Sequence, residues 1–287
     1  SQPPPNYNEL INTNKPFLWT YWEDLKPVRP AYIDLCLESI QKHCSTSFNI
    51  MIMNQSSIMR YIPKSIMDRL KHLRIEHKSD YIRIYLLYWY GGVWLDADTL
   101  VLRDIISICN DLLTKYECLF VFNQEFPNGI LFSRAKSEIY GETLRILDQR
   151  VDNYHNYQSN YFSLGKFVIY EAIKAHPNTP IGYIDYRYIL YRDNRNNYVM
   201  DSHHLSTDYS INADRSLTIK PLPNSVDYFG KANPVITYPN IDEIYLVYLT
   251  NHEYHKNQRQ IIYSTRDEIL AGNTLLSYLF RISLQKN

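Results

Sequence analysis

At 287 residues and 45% hydrophobic, the chain is long enough to bury a full core and reads as a large α/β protein. Thirty basic residues balance thirty acidic ones, which argues against an electrostatic nucleic-acid binder, and only eight glycines argue against low complexity. The longest charge-free apolar stretch, Ile84 to Leu95, has 12 residues and falls short of the roughly 18 that a membrane-spanning helix needs.

Residues 1–14 are polar and proline-rich and read as a flexible N-terminal tail, with 15–287 as one domain. No signal-peptide pattern opens the chain, although Ser1 to Pro5 also fits the stump of a removed anchor. Phe17–Tyr21 is a short aromatic run, the first buried strand. Pro30 opens a helix to about His43, with Ile33, Leu37 and Ile40 on one face. Phe48–Met53 is a second apolar run of strand length, and Pro63 to Leu73 a further helix. Strand, helix and strand with short connections begin a parallel sheet. Cys36, Cys44, Cys109 and Cys118 are scattered with no Cys-x-x-Cys pair. They read as buried free thiols of a reducing, cytoplasmic compartment, with a disulfide in the Golgi or ER lumen as the alternative.

The run from Ser79 to Asp98 carries most of the information. Ser79 is a good N-cap and Gly91 a good left-handed stop, and the helix between them is apolar nearly all round. Val93–Leu95 is a short strand that ends directly on Asp96-Ala97-Asp98. If the strand continued, Asp96 and Asp98 would project the same way, into the crevice at the carboxyl ends of the strands. Two carboxylates with one small spacer suit a hard divalent cation, Mn2+ or Mg2+, that also grips a diphosphate. An isolated Asp-x-Asp is weak evidence, and its place after a buried helix, Gly-Gly and an apolar strand is what strengthens it. Asp80 and Arg83, three apart at a helix start, share a face. Charges on so apolar a helix are costly unless paired or liganded. Either they form a structural ion pair, or Asp80 accepts from sugar hydroxyls while Arg83 reaches a diphosphate or sugar.

Trp19, the run Cys36-Leu37-Glu38-Ser39-Ile40, the run Ser79-Asp80-Tyr81-Ile82-Arg83, Leu86-Leu87, and the block Tyr90-Gly91-Gly92-Val93-Trp94-Leu95-Asp96-Ala97-Asp98 together resemble a known group. From Phe17 to about Ile105 the chain resembles the capsular-polysaccharide-synthesis and Och1-like glycosyltransferases with a DXD motif. More distantly it resembles the catalytic domains of the large clostridial glucosylating toxins. The resemblance implies a GT-A (Rossmann-like) nucleotide-sugar-binding fold with a mainly parallel central sheet, a UDP- or GDP-sugar donor, and a glycan, protein or lipid acceptor. It also implies retention of anomeric configuration and a manganese or magnesium ion. By position it assigns Trp19 to stacking on the nucleotide base, Asp80 and Arg83 to the donor sugar, and Asp96 and Asp98 to metal and diphosphate. Tyr21, two residues after Trp19, shares its strand face and supplements the stack.

Beyond Ile105 the match fades. Asn128–Ser133 reads as the following strand. Asn160, before Tyr161-Phe162, stands where an acidic residue is expected, which weakens any carboxylate nucleophile there and favours front-side transfer. Ile244–Leu249 reads as a late strand, with Tyr248 at the position of a histidine in relatives, and His252 just beyond it is either the third metal ligand or a solvated loop histidine. Asp201, His203 and His204 read as a solvated loop. A metal-dependent phosphohydrolase and an inactive nucleotide-sugar-binding relative are the competing readings.

Overall fold

The computed structural model describes residues 1–24, 29–122 and 125–285. Its strands are β1 (Phe17–Tyr21), β2 (Asn49–Met53), β3 (Gly92–Leu95), β4 (Thr99–Val101), β5 (Cys118–Val121) and β6 (Ile130–Ser133). The later ones are β7 (Ile181–Ile184), β8 (Ile189–Leu190), β9 (Tyr209–Ile211), β10 (Leu217–Ile219), β11 (Ile236–Tyr238) and β12 (Leu246–Tyr248). The chain packs as two compact units, each assembled from three stretches. The first holds Ser1–Leu25, Ser47–Asp96 and Ile106–Ile184, and the second holds Lys26–Thr46, Ala97–Ile105 and Asp185–Asn287.

The first unit is built on a six-stranded sheet of order β2-β1-β3-β6-β5-β7. β1 is parallel to β2 and β3, and β5 is parallel to β7. β6 is antiparallel to both β3 and β5. Five strands therefore run one way and one runs against them, which meets the expectation of an α/β fold with a mainly parallel central sheet. The helix Ile75–Tyr90 packs on this sheet and on the helix Glu138–Asp152. Its N-cap is Arg74, five residues before the expected cap, so Ser79 lies inside it. The extension is Ile75-Glu76-His77-Lys78, and Ser79 has another task, described below.

Gly91 caps that helix with φ 68, the expected left-handed stop. Gly92 has φ 102, and a Cβ built on it would lie 2.1 Å from the Phe17 carbonyl oxygen of the neighbouring strand. Glycine is thus required where β3 slides against β1. Residues 1–14, expected to be a loose tail, are instead tied down. Tyr85 donates to the Gln2 carbonyl at 2.8 Å, Tyr7 donates to the Trp89 carbonyl at 2.7 Å, and Leu10 is buried. Tyr7 and Leu10, which follow the prolines, hold the segment to the core.

The second unit carries two three-stranded sheets, β11-β10-β9 and β4-β12-β8. The helix Ala31–Cys44, which connects β1 to β2 in sequence, packs on β4 and on the helix Leu275–Leu284. The expected strand–helix–strand start is present in order, but its helix is a core element of the second unit. Asp201–His204, expected as a solvated loop, is a short helix with all four residues buried. His203 Nδ1 accepts from the Met200 N–H at 3.0 Å, and the Tyr254 hydroxyl meets His204 Nδ1 at 2.9 Å, so both rings are structural. All four cysteines are buried free thiols, as expected. Among the described residues no helix is long and apolar enough to cross a membrane.

Gly92→Ala tests the close approach of β1 and β3. Left-handed strain of about 1–2 kcal/mol plus backbone overlap should lower stability by roughly 3 kcal/mol or more. Urea unfolding with an unchanged midpoint would show that the two strands have room to part.

Candidate active site

β1 and β3 are parallel neighbours, pairing Trp19 with Trp94, so Tyr21 and Asp96 reach the same edge of the sheet. β6 runs the other way and begins there, and the Asp96 N–H donates to the Gly129 carbonyl at 2.8 Å. The first two turns of the Ile75–Tyr90 helix bring Asp80 and Arg83 to this edge. Both are buried, each 6% exposed.

Arg83 is the hub. Its Nη2 lies 3.3 Å from Asp96 Oδ1, 3.5 Å from Asp80 Oδ1 and 3.0 Å from the Ser79 hydroxyl. Its Nε donates to the Ser79 carbonyl at 3.3 Å, and Nη1 donates to the Asn128 carbonyl. The guanidinium sits over the Trp94 ring, 5.1 Å from its centroid. Trp94 in turn donates its indole N–H to Asp96 Oδ1 at 2.8 Å, so one side chain supports both the cation and its carboxylate partner. Asn128 Nδ2 donates to Asp80 Oδ1 at 2.6 Å. The backbone of Gly165 closes over this pair: a Cβ there would lie 2.6 Å from Asn128 Nδ2 and 2.9 Å from Asp80 Oδ2.

The ion pair weighed for Asp80 and Arg83 is present. Burial nevertheless dominates the electrostatics of Asp80. It pushes the carboxyl up to about 7, against the pull of Arg83 and with help from the Asp96 charge. Asp96 keeps part of its carboxylate open to solvent, with its side chain 26% exposed.

β3 ends at Leu95, and residues 96–98 turn into β4, so Asp96 and Asp98 do not continue the strand. Asp98 belongs to the second unit. There burial, and after it the Asp98 charge, push the Tyr32 phenol and the Cys36 thiol up. Of the three metal ligands expected from sequence, Asp96 belongs to the first unit and Asp98 and His252 to the second. His252 is exposed on the first turn of the helix Asn251–Asn257. Among the described residues no three His, Cys, Asp or Glu side chains converge on a point.

Trp19 is corrected as a base platform. It is fully buried, packed between Phe17, Tyr61 and Tyr90 at 4.8, 5.2 and 5.3 Å, with its N–H donated to the Gly91 carbonyl. Tyr21 is corrected likewise: it is 6% exposed and its hydroxyl donates to Glu23 Oε2 at 3.1 Å. Both face the helix layer, because strand residues two apart share a side. Asn160 uses its side chain to accept from the Phe162 N–H at 2.9 Å, an Asx turn that a carboxylate would also make.

A profile of the family described as capsular polysaccharide synthesis protein matches residues 4–279. The chain belongs to this family. Relatives of known name include Glycosyltransferase afumC of Aspergillus fumigatus, 25% identical over 127 residues, covering 39% of this chain and 32% of that protein. Probable glycosyltransferase FCK3 of Fusarium pseudograminearum is 24% identical over 148 residues, covering 45% of this chain and 37% of that protein. The matches thus span about a third of the relatives' own lengths. The solved structure titled PaToxG Glycosyltransferase is 18% identical, with a TM-score of 0.41 over 59% of this chain and 75% of that one.

Sequence reasoning gave Trp22 and Gly165 no role, and it named Trp94 only within the motif block and Asn128 only as the start of the following strand. Trp22 is half-buried one residue past β1, and its N–H still pairs with the Met53 carbonyl at 3.0 Å. Its position beyond the apolar run, where a strand leaves the core, was the available signal. Nothing local marks Gly165, since its closeness to Asp80 is a tertiary contact.

Arg83→Met should cost about 3–5 kcal/mol, because it leaves the buried Asp80 carboxyl, the half-buried Asp96 carboxylate and the Asn128 carbonyl without their cation. Asp80→Asn should cost far less, since burial already disfavours the charge that the substitution removes. Equal losses in denaturant titrations of the two variants would contradict this picture.

Proposed function

We propose that this chain is a metal-dependent glycosyltransferase of GT-A type. It takes a sugar from a UDP- or GDP-sugar and passes it, with retained configuration, to a glycan, protein or lipid acceptor. The observation that carries the reading is the buried Asp80–Arg83–Asp96 cluster at the carboxyl edge of the sheet, continuing directly into Asp98, in a chain of this family. Crevices at the carboxyl ends of parallel strands are where open α/β sheets bind nucleotides. The names of the relatives agree with it.

The donor set fits a hard cation. Magnesium is commonly held by one or two carboxylates plus substrate phosphates and water, without a closed protein cage, and manganese accepts the same oxygen ligands. Asp96 and Asp98 would hold it, and when bound it would neutralise the leaving nucleoside diphosphate. The protein's own part is orientation. Trp94 and Arg83 fix the Asp96 carboxylate before substrate arrives, so little reorganisation remains. Asp80, set by Asn128 and Arg83, is the residue we assign to donor-sugar hydroxyls. Asn160 has no ionisable group to serve as a nucleophile, in keeping with front-side transfer. The half-buried Trp22, at the end of β1, takes the base-stacking role that the buried Trp19 cannot fill.

A panel of UDP- and GDP-sugars with manganese tests the reading, scored by release of nucleoside diphosphate. Wild type should turn over one donor slowly without acceptor, and Asp98→Asn should abolish the manganese-dependent release while remaining folded. Undiminished release by Asp98→Asn would remove the metal assignment. Trp22→Ala should raise the Kd for the preferred nucleoside diphosphate by roughly ten- to a hundredfold, as loss of ~1–3 kcal/mol of stacking requires. Calorimetric titration giving a wild-type Kd for that variant would place the base elsewhere.

A further inference from the structure

The turn from Tyr157 to Gly165 and the first residues of the helix Lys166–Ala175 expose aromatic side chains beside the buried Asp80. Tyr161 is 46% exposed, Phe162 41% and Phe167 40%. Tyr161 and Phe162 meet edge to face at 5.1 Å, and Phe162 and Phe167 lie 5.5 Å apart, so the three rings form one continuous strip. Lys166 Nζ stands over the Phe162 ring at 4.4 Å.

The strip is continuous with the site. Tyr161 lies within electrostatic reach of Asp80, Asp96 and Arg83. Gly165, at the other end of the same turn, touches Asp80 and Asn128.

The turn is also stapled. His77 Nε2 lies 3.0 Å from the Asn160 carbonyl, Arg150 donates to the Ser163 carbonyl at 2.5 Å, and the Gly165 N–H donates to the Phe162 carbonyl at 3.2 Å. Exposed aromatics on a frayed loop would collapse onto the nearest apolar surface. Here the backbone is held while the rings stay open to solvent.

We infer that Tyr161, Phe162 and Phe167 form the acceptor platform, and that its occupant is a saccharide ring. This rests on the glycosyltransferase reading of the neighbouring carboxylates. The chemistry is that of a pyranose face, whose axial C–H groups carry a small positive charge and pack on the negative face of an aromatic ring. A few polar groups beside an aromatic wall then orient the hydroxyls, and the Tyr161 hydroxyl and Lys166 supply them. The rings are exposed while Gly165 at the end of the same turn touches Asp80, so the strip adjoins the carboxylates on a solvent-facing side. A membrane is the less fitting occupant: one lysine already engaged over Phe162 is a poor basic patch for anionic lipid.

Two readouts test the platform. The first is saturation-transfer difference NMR with glucose, galactose, mannose, N-acetylglucosamine, lactose and maltose, which needs no turnover. Wild type should transfer magnetisation to at least one sugar, and the F162A/F167A double variant should lose it while keeping the wild-type melting temperature. The second is the KM of the best saccharide as acceptor. Each single variant should raise it about tenfold, the order expected for one lost aromatic stack, with acceptor-free donor hydrolysis unchanged. Absence of saccharide binding by wild type overturns the inference. So does an unaltered KM in both variants, or an equal loss of donor hydrolysis, which would make the strip part of the donor site. Sedimentation with phosphatidylserine vesicles that falls in the variants while saccharide binding does not would assign the strip to a membrane instead. Failure of wild type to turn over any nucleotide sugar would sink the glycosyltransferase reading, while the NMR result would still decide whether this strip binds saccharide.

Discussion

Arg83 carries a full positive charge in a nearly closed pocket, and the neighbouring groups are arranged to tolerate it. An isolated buried cation is too expensive to persist, so it must be paired and its donors satisfied. Asp80 and Asp96 supply the counter-charge, Ser79 and the Asn128 carbonyl take further N–H groups, and Trp94 gives the planar guanidinium a face to rest on. These partners come from the helix Ile75–Tyr90, the end of β3 and the approach to β6. A single charge thereby pins three elements at one sheet edge. The same contacts set the direction of the Asp96 carboxylate, so stability and preorganisation share one set of atoms.

That edge exists because of how the sheet is ordered. β1 and β3 lie side by side and parallel, which brings the ends of both strands to one place. The reversed strand β6 then starts where β3 finishes, so Asn128 and Gly129 enter the site as backbone and side-chain partners. Gly92 permits the tight approach of β3 to β1 that this geometry demands. The antiparallel strand is thus what brings Asn128 and Gly129 against the ends of the parallel strands.

The strand run Phe17–Tyr21, the helix opening at Pro30, the cap at Gly91 and the short strand before Asp96 were all legible in one dimension. Each depends on local chemistry: an uninterrupted apolar run, a proline with fixed φ, a glycine free to adopt positive φ, and hydrophobic residues that stop at an acid. The pairing of Asp80 with Arg83 was legible for the same reason, since helical spacing of three residues is a local property. The grouping of Asp80, Arg83 and Asp96 followed from a block that is nearly contiguous in sequence.

What the tertiary structure decided was which face of each element meets solvent and which distant residues arrive beside it. Trp19 lies in the middle of β1 and Trp22 one residue past its end, and packing against Tyr61 and Tyr90 makes the first of them core. Asn128 and Gly165 lie 48 and 85 positions beyond Asp80, and the reversed strand and the stapled turn, not any local pattern, deliver them. His203 and His204 looked like a polar loop because adjacent histidines resemble one. Their burial depends on partners at Pro234 and Tyr254, some thirty to fifty residues away. Local propensity and spacing act within a few residues of the chain. Burial and long-range contact are properties of the folded surface, and only the fold could assign them.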